Sequence, residues 1–266
     1  MDTDTANPSS PCLQRAFADG VLRLTLDRPQ QYNALSEEML AALRAALDAA
    51  ATDPAVRVVV IAAAGKAFCA GHDLRQMRGN PRLEYYQRLF AECAHVMRQI
   101  RTLPQPVIAR VQGLATAGGC QLVASCDLAV AADSARFAAS GINIGLFCAT
   151  PAVPLYRSIG QKRAAQMLFT GEFIDAATAC GWGLVNRVVP AGELDDAVAA
   201  LCASIAAKPP AVLAAGKALF YRQQEMGIEA AYQLAVQSMA CNLLDADAQE
   251  GVDAFLEKRP PRWREP

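Results

Sequence analysis

Apolar residues follow two rhythms along this chain, one of strands and one of helices. Over residues 20–27, Leu22, Leu24 and Leu26 alternate with Arg23, Thr25 and Asp27, which predicts a half-buried strand that Pro29 ends. Ser36 is placed to cap a helix, with Glu37 and Glu38 in its first turn. Met39, Leu40, Leu43 and Leu47 then recur at helical spacing until Asp53 and Pro54. Residues 56–64 form a near-continuous apolar run, read as a buried strand that Gly65 breaks. A loop is expected over 66–73, then a helical stretch holding Tyr85, Tyr86 and Phe90. Pro104 and Pro106 introduce a strand over 107–111, which Gly113 ends. Residues 116–126 read as a short helix opening on Gly118 and Gly119, and 128–132 as a further strand.

Strand and helix in repeated short units argue for an α/β fold. The glycines do not form GxGxxG, so a dinucleotide-binding sheet fits poorly. After about Pro190 the strands stop. Pro209 and Pro210 stand where a helix can begin, and helical patterns run to about Glu257 with a break at Gly227. Three regions are expected: a disordered tail (1–12), an α/β core (13–205) and a helical C-terminal region (206–266) that packs on neighbours.

Composition narrows the function classes. Hydrophobic residues make up 53% of the 266 residues, which implies a large core and surface buried in an oligomer. Lys+Arg is 25 against Asp+Glu 26, so no basic footprint for nucleic acid or for an anionic membrane exists. The nine cysteines are scattered without a CxxC pair, and with only two histidines no zinc spacing arises. They read as reduced thiols in small core positions. No apolar run approaches the ~20 residues that a membrane span needs. The polar start, with Pro8, Ser9, Ser10 and Pro11, shows neither a signal core nor an Arg-rich transit pattern, and the expectation is a cytoplasmic protein, with a mature organellar one as the alternative.

Two loops carry candidate chemistry. Lys66-Ala67-Phe68-Cys69-Ala70-Gly71-His72-Asp73-Leu74 and the stretch from Val111 through Gly118-Gly119 to Leu122 both leave a buried strand and enter a helix. The first N–H groups of a helix have no intrahelical partner and carry partial positive charge. Two such donors converging on one point would make an oxyanion hole for a thioester oxygen becoming an enolate. Taken alone, a Gly-Gly pair is more simply a tight turn.

Together with other motifs, these loops resemble the crotonase (enoyl-CoA hydratase/isomerase) superfamily. The resemblance includes Leu26-Asp27-Arg28-Pro29, Asn33-Ala34-Leu35-Ser36, Phe68-Cys69-Ala70-Gly71-His72-Asp73-Leu74 and Pro106-Val107-Ile108-Ala109. It continues through Cys126-Asp127-Leu128, Leu168-Phe169-Thr170-Gly171, Gly183-Leu184-Val185 and Phe255-Leu256-Glu257-Lys258-Arg259. It implies a spiral of ββα units, and a C-terminal region that builds homotrimers or homohexamers. It also implies an oxyanion hole from the backbone N–H groups of His72 and Gly118. Coenzyme A, as part of the substrate rather than a separate cofactor, would bind near Arg28, Tyr32, Ala34, Ala70, His72 and Leu74. Phe255 and Lys258 would reach the CoA of a neighbouring subunit.

The chain departs from that pattern where a hydratase keeps two glutamates, for Gln121 and Gly141 stand there. An amide cannot serve as the base that adds water, and glycine supplies nothing. With Gly145-Leu146-Phe147-Cys148-Ala149-Thr150-Pro151, this resembles one branch, the enoyl-CoA hydratase domain-containing protein three group. The leading expectation is a lyase or isomerase acting on fatty-acyl or related acyl-CoA thioesters through an enolate, with ordinary hydration weak. The alternative is an acyl-CoA-binding protein with little turnover. Gln121→Glu is not expected to restore hydration without Gly141→Glu.

Other residues are weighed with their plainer roles. The His72 ring has the pKa of a base, but its backbone is what the loop positions. Asp73 reads as a helix cap. Cys148 is a nucleophile candidate with nothing basic beside it in sequence, so a buried structural thiol. Asn143 and Gln121 could hydrogen-bond substrate or structure, Tyr85 and Tyr86 could line an acyl pocket or pack the core, and His95 reads as structural.

Overall fold

A computed structural model describes residues 11–264. The first ten positions of the expected tail lie outside the described residues. Cys12, its last residue, is buried, and its carbonyl accepts from Asp27 N–H at 2.8 Å, so the ordered core begins before residue 13.

Strands β1 (Leu13–Ala18) and β2 (Val21–Leu26) form an antiparallel hairpin, turned at Asp19 and Gly20, both with positive φ. Helix α1 (Glu37–Thr52) follows, and the Ser36 side chain accepts from Met39 N–H as expected. Three ββα units come next. The first is β3 (Val58–Ala63), β4 (Ala67–Cys69), α2 (Leu74–Gly79) and α3 (Leu83–Thr102). The second is β5 (Val107–Val111), β6 (Leu114–Thr116) and α4 (Gly118–Ser125). The third is β7 (Leu128–Ala132), β8 (Arg136–Ala138), α5 (Ala149–Ile159) and α6 (Gln161–Thr170). Then come β9 (Ile174–Asp175), α7 (Ala176–Trp182), β10 (Arg187–Val189) and α8 (Leu194–Ala206). The chain closes with α9 (Pro210–Arg222), α10 (Ile228–Leu243) and α11 (Ala246–Leu256).

The long strand of each unit joins one sheet in the order β1-β2-β3-β5-β7-β10, parallel beyond the hairpin. The short strand joins a second sheet, β4-β6-β8-β9. This is the expected spiral. Strand β3 shows why its sequence is apolar throughout. Val59, Ile61 and Ala63 face the main core with α1 and α3, while Val58 and Val60 face a second core with Leu194, Val198 and Cys202 of α8.

Two sequence expectations are corrected. Residues 66–73 are not all loop, since 67–69 form β4, and Thr116 belongs to β6 rather than to the helix. Three-residue strands are too short to display a period, so only their pairing reveals them. All the cysteines are free; Cys180 is half-buried, Cys241 exposed and the rest buried.

Helix α9 is fastened to the core by one buried ion pair. Lys217 Nζ donates to Asp127 (2.6 Å) and to the Ile100 and Gln105 carbonyls (2.8 and 2.9 Å), and Tyr221 donates to the other Asp127 oxygen (2.7 Å). Helix α10 instead leaves a stripe of apolar side chains exposed: Ile228, Tyr232, Val236, Met239 and Leu243. Among the described residues no single helix is long and apolar enough to cross a membrane.

Candidate active site

The first junction is set by a buried asparagine. Tyr32 and Asn33 both adopt positive φ, and the wholly buried Asn33 side chain ties that turn to the sheet. It accepts from Arg28 N–H and donates to the Ala64 and Ala67 carbonyls, each at 2.9 Å. Ala70 N–H donates back to the Tyr32 carbonyl, and Leu35 N–H to the Gly71 carbonyl. Gly71 turns the chain with φ +89°, and Asp73 caps α2 by accepting from Arg75 and Gln76 N–H. Asp73 thus has the cap role that its place at the helix start predicted.

The second junction is pressed against the first. A Cβ on Gly71 would lie 2.8 Å from Gly118 N, and one on Gly118 would lie 3.3 Å from Gly71 Cα. A Cβ on Gly119 would lie 2.0 Å from the Cys69 carbonyl oxygen. The two glycines therefore serve different ends: Gly118 borders a cavity, and Gly119 lets α4 pack on the end of β4. Among the described residues, neither His72 N–H nor Gly118 N–H donates a hydrogen bond within the protein. Immediately before Gly118, Ala117 holds φ 49° and ψ −118°, a conformation that a side chain resists.

Both junctions open on a cavity of about 610 Å³. Tyr32, Ala34, Ala70, His72 and Leu74 line it, as do Gly118 and Gly141. Seven sequence-chosen residues thus meet in one place. Arg28 lies outside the lining, with its guanidinium donating to the Asp27 carbonyl and facing Glu38. Gln121 lies behind the wall and accepts from Thr150 Oγ1 at 3.2 Å through its side-chain oxygen. Phe255 is exposed at the end of α11 and Lys258 follows it with positive φ; neither lines the cavity of its own chain.

The side chains weighed between two roles mostly take the plainer one. Neither Tyr85 nor Tyr86 lines the cavity, for Tyr85 donates to Glu37 and Tyr86 to the Met77 carbonyl; Phe90, one turn on, lines it instead. Asn143 donates to the Gly171 carbonyl and is structural. His95 lies on α3 away from the lining. Cys148 does line the cavity, but burial pushes its thiol up, away from the thiolate that a nucleophile needs. The His72 ring meets Phe90 edge-on at 5.2 Å, and burial pushes its pKa down from 6.5, with the Leu35 carbonyl pulling weakly the other way. That carbonyl is not in hydrogen-bond geometry, and both ring nitrogens are buried without a partner.

Gly141 is more than a missing side chain. A Cβ there would lie 2.4 Å from the Leu146 carbonyl oxygen and 2.8 Å from Cys148 Sγ. The turn that brings Leu146 so close is closed by Leu146 N–H to the Gly141 carbonyl and Gly145 N–H to the Ile142 carbonyl, both at 3.0 Å. The resemblance led to the expectation of a carboxylate at this position in a hydratase; the structure shows backbone crowding the space around Gly141.

Sequence reasoning missed the wall formed by Ile144, Leu146 and Phe147, which line the cavity with exposed apolar side chains. Its signal was the apolar run between Gly141 and Cys148. Two cations were also missed: Arg75 lines the cavity, and Lys66 Nζ lies 5.5 Å over the Tyr32 ring. Among the described residues, no three His, Cys, Asp or Glu side chains are grouped to hold a metal ion.

Residues 16–266 match the family model described as enoyl-CoA hydratase/isomerase. The chain is 45% identical over 245 residues to the rat enoyl-CoA hydratase domain-containing protein 3, mitochondrial, covering 92% of this chain and 82% of that protein. A crystal structure of an enoyl-CoA hydratase of Mycobacterium smegmatis superposes with TM-score 0.94 at 60% identity, covering 96% of this chain and 99% of that one. The crystal structure of human enoyl-CoA hydratase domain-containing protein 3 superposes with TM-score 0.92 at 43% identity, covering 95% and 100%. The rat protein and its mouse, frog, human and zebrafish counterparts are all named mitochondrial. Those names overturn the cytoplasmic expectation, which rested on reading the polar start of the chain as no leader.

Proposed function

The chain belongs to the enoyl-CoA hydratase/isomerase family, and from that premise we propose that it binds acyl-CoA thioesters and stabilises their enolates without acting as an ordinary hydratase. One observation carries this reading. Two unpartnered backbone N–H groups, of His72 and Gly118, stand at touching junctions on an apolar cavity, with Gly141 in its lining and Gln121 behind it where the resemblance expects a hydratase's glutamates.

The thioester oxygen would accept from both N–H groups, whose favourable interaction grows as negative charge develops on it. Preorganised donors of this kind cost nothing to reorient at the moment of reaction. Tyr32, Ala34, Ala70 and Leu74 would flank the coenzyme, with Arg75 and Lys66 near enough to meet its phosphates. Arg28 of the same chain, and Phe255 and Lys258 of a neighbour, complete the proposed CoA contacts.

Hydration needs a base and an acid around one water, a contribution of roughly 10²- to 10⁴-fold. The lone carboxylate lining the cavity among the described residues, Asp73, is engaged in capping α2. The alternative, an acyl-CoA carrier with little turnover, is favoured by the closed floor at Gly141 and by Gln121 being held by Thr150.

Crotonyl-CoA hydration followed at the enoyl absorbance, with calorimetric titration of the same sample, tests the reading. The expected result is binding with hydration near background, in the wild type and in Gln121→Glu. Gln121→Glu combined with Gly141→Glu is also expected to fail, because the added Cβ meets the Leu146 carbonyl. Rapid hydration by the wild type would refute the proposal.

A further inference from the structure

We propose that the site takes long, uncharged acyl chains, and that the chain leaves the cavity over Ile144 and Phe147 to lie against Phe169 of α6. The inference rests on acyl-CoA binding at the cavity and deepens it by naming the acyl class.

The path follows by elimination along the lining. The thioester oxygen is assigned to the His72 and Gly118 N–H groups. The coenzyme is assigned to the side of Tyr32, Ala34, Ala70 and Leu74, with Lys66 and Arg75 for its phosphates. What the lining leaves for the acyl group is mainly apolar: Met77, Phe90, Ile144, Leu146, Phe147 and Pro151. Met77 and Phe90 close their part, for Met77 is buried and Phe90 is half-buried with its ring edge-on to His72. Ile144, Leu146 and Phe147 are open instead, Ile144 being 63% exposed. An acyl chain longer than the cavity can therefore continue over these three without leaving apolar surface.

That surface goes on past the lining. The Phe147 ring lies 6.1 Å from the ring of Phe169, which stands at the end of α6 and is 69% exposed. The two segments are fastened together, since Asn143 donates to the Gly171 carbonyl at 3.2 Å just beyond α6. Gly171 is also packed closely, because a Cβ there would lie 2.7 Å from Ile142 Cγ2. The neighbourhood of Phe147 and Phe169 is thus set by packing rather than by chance. Contiguous exposed apolar side chains mark a binding surface. Here the surface is continuous with a cavity assigned to an acyl thioester, and the tail of that acyl group is the occupant that reaches it.

Charge narrows the class further. The charged side chains in the lining, Asp73 and Arg75, flank Leu74 at the start of α2, on the side given to the coenzyme. Ile144, Leu146, Phe147 and Phe169 carry no group that could pair with an anion. A carboxylate at the end of a short acyl chain would lose water there without gaining a partner.

The size of the effect follows from area. A fully buried methylene strengthens binding roughly fourfold. A chain on an open shelf is covered on one side, so roughly twofold per methylene is expected.

The test is calorimetric titration of the full chain with butyryl-, octanoyl- and dodecanoyl-CoA, and with adipyl-CoA against hexanoyl-CoA. Dodecanoyl-CoA is expected to bind roughly 100-fold more tightly than butyryl-CoA. Adipyl-CoA should bind roughly tenfold more weakly than hexanoyl-CoA. Phe169 is exposed and outside the cavity lining, so Phe169→Ser should hold butyryl-CoA within about twofold of wild type and weaken dodecanoyl-CoA roughly fivefold. Phe169→Leu should recover most of that loss. An affinity that does not rise with chain length would overturn the proposal, as would equal binding of adipyl- and hexanoyl-CoA. Dodecanoyl-CoA binding that Phe169→Ser leaves unmoved would overturn the path over α6. Failure to bind every thioester, butyryl-CoA included, would instead refute the acyl-CoA reading on which the proposal rests.

Discussion

Single residues hold the junctions in place. Ala117 keeps φ 49° and ψ −118° immediately before Gly118, a conformation that costs a residue with a side chain about 1–3 kcal/mol. Glycine would relieve that strain but adds freedom to the unfolded chain worth about 0.5–1 kcal/mol. Ala117→Gly is therefore expected to raise Tm by about 2–4 °C in scanning calorimetry, and Ala117→Val to lower it. No such strain is legible from the letters Thr-Ala-Gly-Gly, because it arises where Ala117 N–H reaches the Ala138 carbonyl of another unit. The motif Asn33-Ala34-Leu35-Ser36 was visible, yet the three bonds of the Asn33 side chain were not. An amide at 121 is plain in the sequence; the carbonyl of Leu146 above Gly141 needs the turn to be seen.

Elements show a clearer relation between pattern and outcome. The long strands and α1 announce themselves, since burial on one or both faces writes directly into periodicity. The short strands β4, β6 and β8 do not, and these are the elements that aim the junctions. Helix α8 illustrates how an element is clamped. Asp195 accepts from Arg110 of β5 through both oxygens (2.9 and 2.7 Å) and from Arg23 of β2 (2.8 Å), straddling β3. The Arg110 bonds, helped by Arg23, hold its carboxyl at about 2, below the ordinary 3.8. A depressed carboxylate stabilises the fold above its unfolded pKa and loses that contribution as pH falls towards the folded one. Thermal melts between pH 4 and 2 should therefore show a steeper loss of Tm in the wild type than in Asp195→Asn. Equal slopes would mean that the clamp adds nothing measurable.

At the scale of the whole molecule, the chain has more apolar surface than one copy can bury. Ile228, Tyr232, Val236, Met239 and Leu243 recur on one face of α10, and Met239 is 79% exposed. Such a stripe marks an interaction surface. Light scattering is expected to give three or six times the chain mass. Val236→Lys with Met239→Glu, which puts charge in the middle of the stripe, should yield smaller species. A monomeric wild type at micromolar concentration would contradict this. The region was legible from its helical periodicity and the end of the strands near Pro190. The Lys217–Asp127 pair that moors it was not, because its partners are 90 residues apart in the chain.

The closed floor at Gly141 also has a historical side. A side chain at an open glycine needs only one substitution, but here any Cβ would lie 2.4 Å from the Leu146 carbonyl oxygen. Every larger residue at 141 has to wait for the 141–148 turn to be rebuilt. The turn thus works as a ratchet that holds position 141 to glycine.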